Sequence, residues 1–297
     1  MVRHSSALRE LDLSSNKILA EGAMRIASAL TRNDSVTALR LGGCGLGGTH
    51  RRAGGWSADS RGVVMLARML RHNRRLTSLD LSGNQLLGLV YTEDAPDAAG
   101  FLTLVRALDP NPDPHPDAGR EAGGAGASAS GTASAADAED IYDCANMERA
   151  GRPNQTLTSL DLSSNALSGP AHAPIDAPAR ALLAMLSRNA VLSHVCLAHN
   201  RLACFNDQRL TAGLGRVLRA SRSLAKLDLT NAGVAGADLA HLSRGLHAAH
   251  VDGNVERTLV LRDNPDITSR HRADLKQSLG RTVELEGDSD DDQYVHE

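Results

Sequence analysis

The chain has 297 residues, 41% of them hydrophobic but only 2% aromatic. A sizeable core can form, but Leu, Val, Ile and Ala must fill it, which speaks against ring-rich sheet sandwiches and enzyme clefts. The net charge of -3 conceals an asymmetry: seven acids and no Lys or Arg lie from Glu284 onward, leaving +4 on the rest, without the clustered basic face of a nucleic-acid binder.

In chain order, one string recurs. It reads "LRELDLSSNKI" from Leu8, "VTALRLGGCGL" from Val36, "LTSLDLSGNQL" from Leu76 and "LTSLDLSSNAL" from Leu157. It continues as "LSHVCLAHNRL" from Leu192 and "LAKLDLTNAGV" from Leu224, with a weaker copy, "ERTLVLRDNPD", from Glu256 and a remnant, "TVELEGD", through Val283 and Leu285. The L-x-L centre has period two and predicts a short strand with alternate residues in and out. A polar slot follows each strand where the chain turns inward: Asn16, Cys44, Asn84, Asn165, Asn200 and Asn264, with Ala232 standing there in the sixth copy. An amide in this slot can satisfy backbone groups that burial would orphan. Between strands, "GAMRIASALTRN" and "GVVMLARMLRHN" align Ile26 with Leu66, Leu30 with Leu70 and Asn33 with Asn73, an amphipathic helical pattern with one buried face.

Each unit is therefore strand, turn, helix, and the first two slots are 28 residues apart. These copies resemble the leucine-rich repeat family, specifically its ribonuclease-inhibitor-like class. The resemblance implies an α/β solenoid, a horseshoe with parallel strands on the concave face and helices on the convex face. It predicts one array over residues 1–285 and an acidic, disordered tail over 286–297. Wider slot spacings, 40 and 81 residues, mark insertion loops at about 47–61 and 112–153. The second, rich in Ala, Gly, Ser, Pro and Asp, cannot bury enough apolar surface to fold. Asn111 and Asn154, on either side of it, both look like counterparts of Asn33. With the first repeat inside the first ten residues, neither end looks well capped, so the chain is either a fragment or covered there by a partner.

No catalytic motif stands out, and no cofactor or small-molecule substrate is expected. The period-two rule puts Asp12, Arg40, Asp80, Asp161, Cys196 and Asp228 in one column on the concave face, with His194 and Lys226 on the same strands and His199 just beyond. An acidic groove of this kind suits a basic partner. His194, Cys196, His199 and Cys204 are soft donors that zinc could use. Cys204, however, lies past the inward turn, and the other three occupy variable exposed slots, so we assign no metal. The loop Arg51, Arg52 and Trp56 offers residue types common at binding hot spots. Ser289, followed by three Asp, resembles a site for acid-directed kinases. The N-terminus has no signal-peptide run, no segment is long enough to span a membrane, and Cys44, Cys144, Cys196 and Cys204 show no paired framework, so a cytoplasmic location is expected.

The expected function is a non-catalytic protein-protein interaction module, an intracellular scaffold or adaptor, with no membrane or nucleic-acid partner. Two alternatives stand beside it. The array with an acidic tail is similar to Ran GTPase-activating proteins, which would make it a regulator of a GTPase. Sensor arms of NOD-like receptors and ciliary or flagellar regulatory proteins share the repeat class, so the chain could also be part of a larger repeat protein.

Overall fold

The structure, a computed structural model, describes residues 2–47, 49–52, 55–87, 98–112, 152–167, 176–200, 202, 208–251, 257–279 and 282–285. Eight strands form one parallel sheet: β1 (Glu10–Asp12), β2 (Ala38–Arg40), β5 (Ser78–Asp80), β6 (Ser159–Asp161), β7 (His194–Cys196), β8 (Lys226–Asp228), β9 (Thr258–Val260) and β10 (Val283–Glu284). Their spatial order follows the chain. Successive parallel crossovers of one hand therefore lay the helices on one side of the sheet. These are α1 (Leu19–Thr31), α2 (Arg61–His72), α3 (Ala99–Leu108), α4 (Asp176–Arg188), α5 (Gln208–Ala220), α6 (Gly236–Val251) and α7 (Ser269–Leu279).

The core is two leucine rows and a helix row. The strand centres Leu39, Leu79, Leu160, Val195, Leu227 and Leu259 and the residues two further on, Leu41, Leu81, Leu162, Leu197, Leu229 and Leu261, are all buried. Against them α2 sets Val63, Leu66, Ala67 and Leu70 at helical i, i+3, i+4, i+7 spacing. Each fully buried Leu contributes about 1.5–3 kcal/mol of hydrophobic stabilisation, so the repeated leucines carry the fold without rings.

Short strands need their turns held, and two amide ladders do this. In the first, Asn165 Nδ2 donates to the Leu81 carbonyl (2.9 Å) of the preceding repeat, while its Oδ1 accepts the Asn84 N–H (2.9 Å). Asn84 treats Leu41 and Cys44 alike, and Asn200 treats Leu162 and Asn165 alike. The Asn16 side-chain amide donates to the Leu13 and Ser14 carbonyls of its own repeat. Cys44 places its Sγ 3.1 Å from the Leu13 carbonyl. The turn requires a left-handed residue just before the slot: Ser15, Gly43, Gly83, Ser164, His199, Asn231 and Asp263 all have φ between 47° and 64°. Glycine takes this conformation freely, and short polar residues tolerate it.

The second ladder joins helix ends to strands. Asn73 Oδ1 accepts the Arg75 and Leu76 N–H groups, and its Nδ2 donates to the Leu30 carbonyl at 2.6 Å. Asn189 does the same across to Leu108. At the long insertion the sequence offers Asn111 and Asn154. Asn154 takes the role, binding Leu70, Thr156 and Leu157, and its N–H caps the Ala107 carbonyl at the end of α3. The chain thus leaves and returns at one place. That costs little, because closure entropy grows only logarithmically with loop length. Asp109 and Arg188 pin this joint with a bidentate pair (3.2 and 2.6 Å), the carboxylate only 5% exposed.

The 47–61 insertion, read from sequence as a loop, contains a hairpin of β3 (Thr49–Arg52) and β4 (Gly55–Ala58), with Arg51 paired to Trp56. The side chains of Arg51, Arg52 and Trp56, and all of Cys144, Cys204, Ser289 and residues 286–297, lie outside the described residues.

Candidate functional site

The sheet face turned away from the helices carries the candidate site. Strand register places Asp12, Arg40, Asp80, Asp161, Cys196, Asp228, Val260 and Glu284 in one row across the eight strands. The parallel row is Glu10, Ala38, Ser78, Ser159, His194, Lys226 and Thr258. Between them the buried strand centres set the spacing, about 4.8 Å from strand to strand.

The aspartates also hold the backbone. Oδ1 of Asp12, Asp80, Asp161 and Asp228 accepts the N–H two residues on, from Ser14 (2.9 Å), Ser82 (2.8 Å), Ser163 (2.8 Å) and Thr230 (2.8 Å). Each closes an Asx turn at the end of its strand. The signal was present as Asp-x-Ser/Thr. Where Arg40, Cys196 or Val260 replaces Asp, the residue two on is Gly42, Ala198 or Arg262. The Ser14 N–H, the Ser14 hydroxyl and nearby Arg40 hold the Asp12 carboxyl below its usual range.

Charge is balanced at both ends of the row and not in the middle. Arg40 reaches Glu10 (3.4 Å) and Asp12 (4.0 Å). Glu284 receives Lys226 (3.3 Å) and Arg262 (3.2 Å). Asp80 and Asp161, cross-strand neighbours, have no cationic partner among the described residues. Beside them the small Ala38, Ser78 and Ser159 leave the surface low. Below, the Thr77 and Thr158 hydroxyls each donate to the carbonyl of the preceding repeat's threonine (3.1 Å), so the hydroxyl column is tied to its own backbone. Sequence reasoning named the acids but not these low neighbours, although the same period-two alternation turns them outward.

The soft donors do not converge. His194 Nδ1 meets the Ser193 hydroxyl (2.8 Å), and His199 Nδ1 meets the Asn231 amide (2.9 Å). Burial, with Asp161 and Asp228 alongside, pushes the Cys196 thiol up to about 12, so it carries a proton at neutral pH. Among the described residues no group of three or more His, Cys, Asp or Glu side chains could hold a metal ion. Nor is any helix there long and apolar enough to cross a membrane.

A family model described as "Leucine Rich repeat" matches residues 4–27, 72–88 and 154–170. No curated protein sequence matches the chain. Among solved structures the fold is similar to "Leiomodin-1 Actin-Binding Site 2 (ABS2)", at 15% identity and a TM-score of 0.34, over 85% of this chain and 89% of that one. Each segment matched by the family model carries one strand of the sheet with its asparagine turn, and the same strand, turn and helix recur from β1 to β9: the chain is built of leucine-rich repeats in an α/β array.

Proposed function

We propose that this protein is a non-catalytic interaction module, an intracellular scaffold or adaptor, that receives a basic segment of a partner protein on the outward sheet face. The observation that carries this reading is the adjacent pair Asp80 and Asp161, which forms no ion pair among the described residues, at the centre of a low, polar surface. Two adjacent carboxylates repel each other, and a partner's Lys or Arg relieves that repulsion while gaining charge-assisted hydrogen bonds. The face is open rather than a pocket that excludes water, so it favours contact over proton-transfer chemistry. Arg40, Lys226 and His194 border the acids and would set the register of a bound chain.

The test uses Asp80→Asn with Asp161→Asn. Asparagine keeps the Oδ1 acceptor that closes each turn, so the charge goes and the fold stays. Affinity capture from the native cell with the parent and this variant, followed by mass spectrometry, should recover a basic partner with the parent. Its affinity for the variant should fall by up to about thirtyfold, from roughly 1 kcal/mol at most for each of the two exposed pairs. Equal recovery by both proteins would place the contact elsewhere.

A further inference from the structure

The outward side of the helix layer carries the opposite sign. On α5 and its exit turn Arg216, Arg219 and Arg222 are exposed, and on α6 Arg244 and His247 are exposed. The sole carboxylate in these two helices, Asp238, is 6% exposed and committed, accepting from the Thr211 hydroxyl (2.7 Å) and the Ala235 N–H (2.9 Å). None of the four arginines has an acidic partner among the described residues.

Two glycines bring the basic rows together. A Cβ on Gly215 would lie 2.4 Å from the His241 carbonyl oxygen, and one on Gly245 would lie 2.2 Å from the Gly215 carbonyl oxygen. The two helix backbones therefore touch, and Arg216 and Arg244, chain neighbours of these glycines, stand on adjoining ridges. Behind the exit turn, the buried Arg257 donates Nη2 to the Ser221 carbonyl, while its Nε and Nη1 find no acceptor. A buried guanidinium without a counter-charge adds to the positive field of the patch, because low dielectric screens it weakly.

We propose that the α5–α6 face docks a short acidic polypeptide run. Arginine forks accept carboxylates in bidentate pairs. The two helices hold no Phe, Tyr or Trp on which bases could stack. Leu19, the one large exposed hydrophobic among the described residues, is on α1, so this face has nothing to insert into a lipid surface. Four exposed arginines match a run of a few acids better than a duplex, where ~6–10 phosphate contacts are usual.

The probe is a labelled peptide of this chain's own acidic run, EGDSDDDQYVHE, titrated by fluorescence anisotropy. It is added to the full chain and to a full-length variant with Asp288, Asp290, Asp291 and Asp292 changed to Asn, which removes competition in cis. We expect saturable binding that weakens about tenfold or more between 50 and 300 mM salt, because salt screens exposed charge pairs. Changing Arg216, Arg219 and Arg244 to Gln should weaken it at least tenfold with an unchanged thermal melt. Asp80→Asn with Asp161→Asn should leave it unaltered, which separates this face from the sheet face. No binding to either protein, or binding indifferent to the three Gln substitutions, would overturn the proposal. Tighter, Arg-dependent binding of poly(U) or of phosphatidylserine vesicles at the same salt would overturn it in favour of nucleic acid or membrane.

Discussion

Asn165→Ala tests the physical basis of the array. The side chain is fully buried and makes four bonds: Nδ2 to the Leu81 (2.9 Å), Leu162 (2.9 Å) and Ser163 (3.0 Å) carbonyls, and Oδ1 from the Asn84 N–H (2.9 Å). Alanine strands the Asn84 N–H and removes the shared donor from the carbonyls. At ~1–3 kcal/mol for each buried group left unsatisfied, and counting the N–H in full and the carbonyls in part, the loss is ~2–4 kcal/mol. Asn16→Ala is the internal control, because its amide is exposed and donates within its own repeat, so it should cost less than ~1 kcal/mol. Urea unfolding followed by circular dichroism at 222 nm gives both values. Because each repeat touches only its neighbours, the Asn165 variant should also show a lowered m-value or a second transition, as the array divides between β5 and β6. Equal costs at the two positions would refute the account of the amides as the inter-repeat tie.

Two further outcomes follow from the geometry. Ala166 sits at φ 53° immediately after the slot, so Ala166→Gly relieves left-handed strain and should raise stability by ~0.5 kcal/mol net of glycine's entropy, read as a higher urea midpoint. The Cys196 thiol is raised in the folded state to about 12 from an ordinary 9.0. Above that ordinary value the unfolded chain loses a proton that the folded chain keeps, so stability falls as pH rises from about 9 toward 12. Cys196→Ala should flatten this slope relative to the parent. A native thiol that reacts with iodoacetamide at pH 8.5 as fast as the unfolded chain does would contradict the protonated, half-buried environment.

The repeat was legible because its physics is local and periodic. A strand of three residues has one inward residue, the next leucine is two further on, and an amide must close the turn, so "LTSLDLSSNAL" states its own conformation. Even the insertions announced themselves as breaks in spacing. The aspartates were legible as a row but not as turn closures, since a period-two argument says where a side chain points and not what it bonds. Asn111 and Asn154 were indistinguishable on the page, and the difference lies in which of them returns beside the Leu70 carbonyl. The hairpin of β3 and β4 followed no repeat register, because an insertion is free of the array's constraint.

What the sequence by itself determined is the unit: strand, inward turn, helix and the leucines that bury them, all set by neighbours within one repeat. What only the tertiary structure decided is charge in two dimensions. Arg40 and Glu10, or Glu284 and Arg262, neutralise one another across strands, whereas Asp80 and Asp161 meet without an ion pair among the described residues. Likewise Arg216 and Arg244, 28 residues apart in the chain, become neighbours because Gly215 and Gly245 let two helices touch. Composition counts such charges and finds them nearly balanced. Stacking decides which of them meet, because the Coulomb field depends on distance in space rather than along the chain.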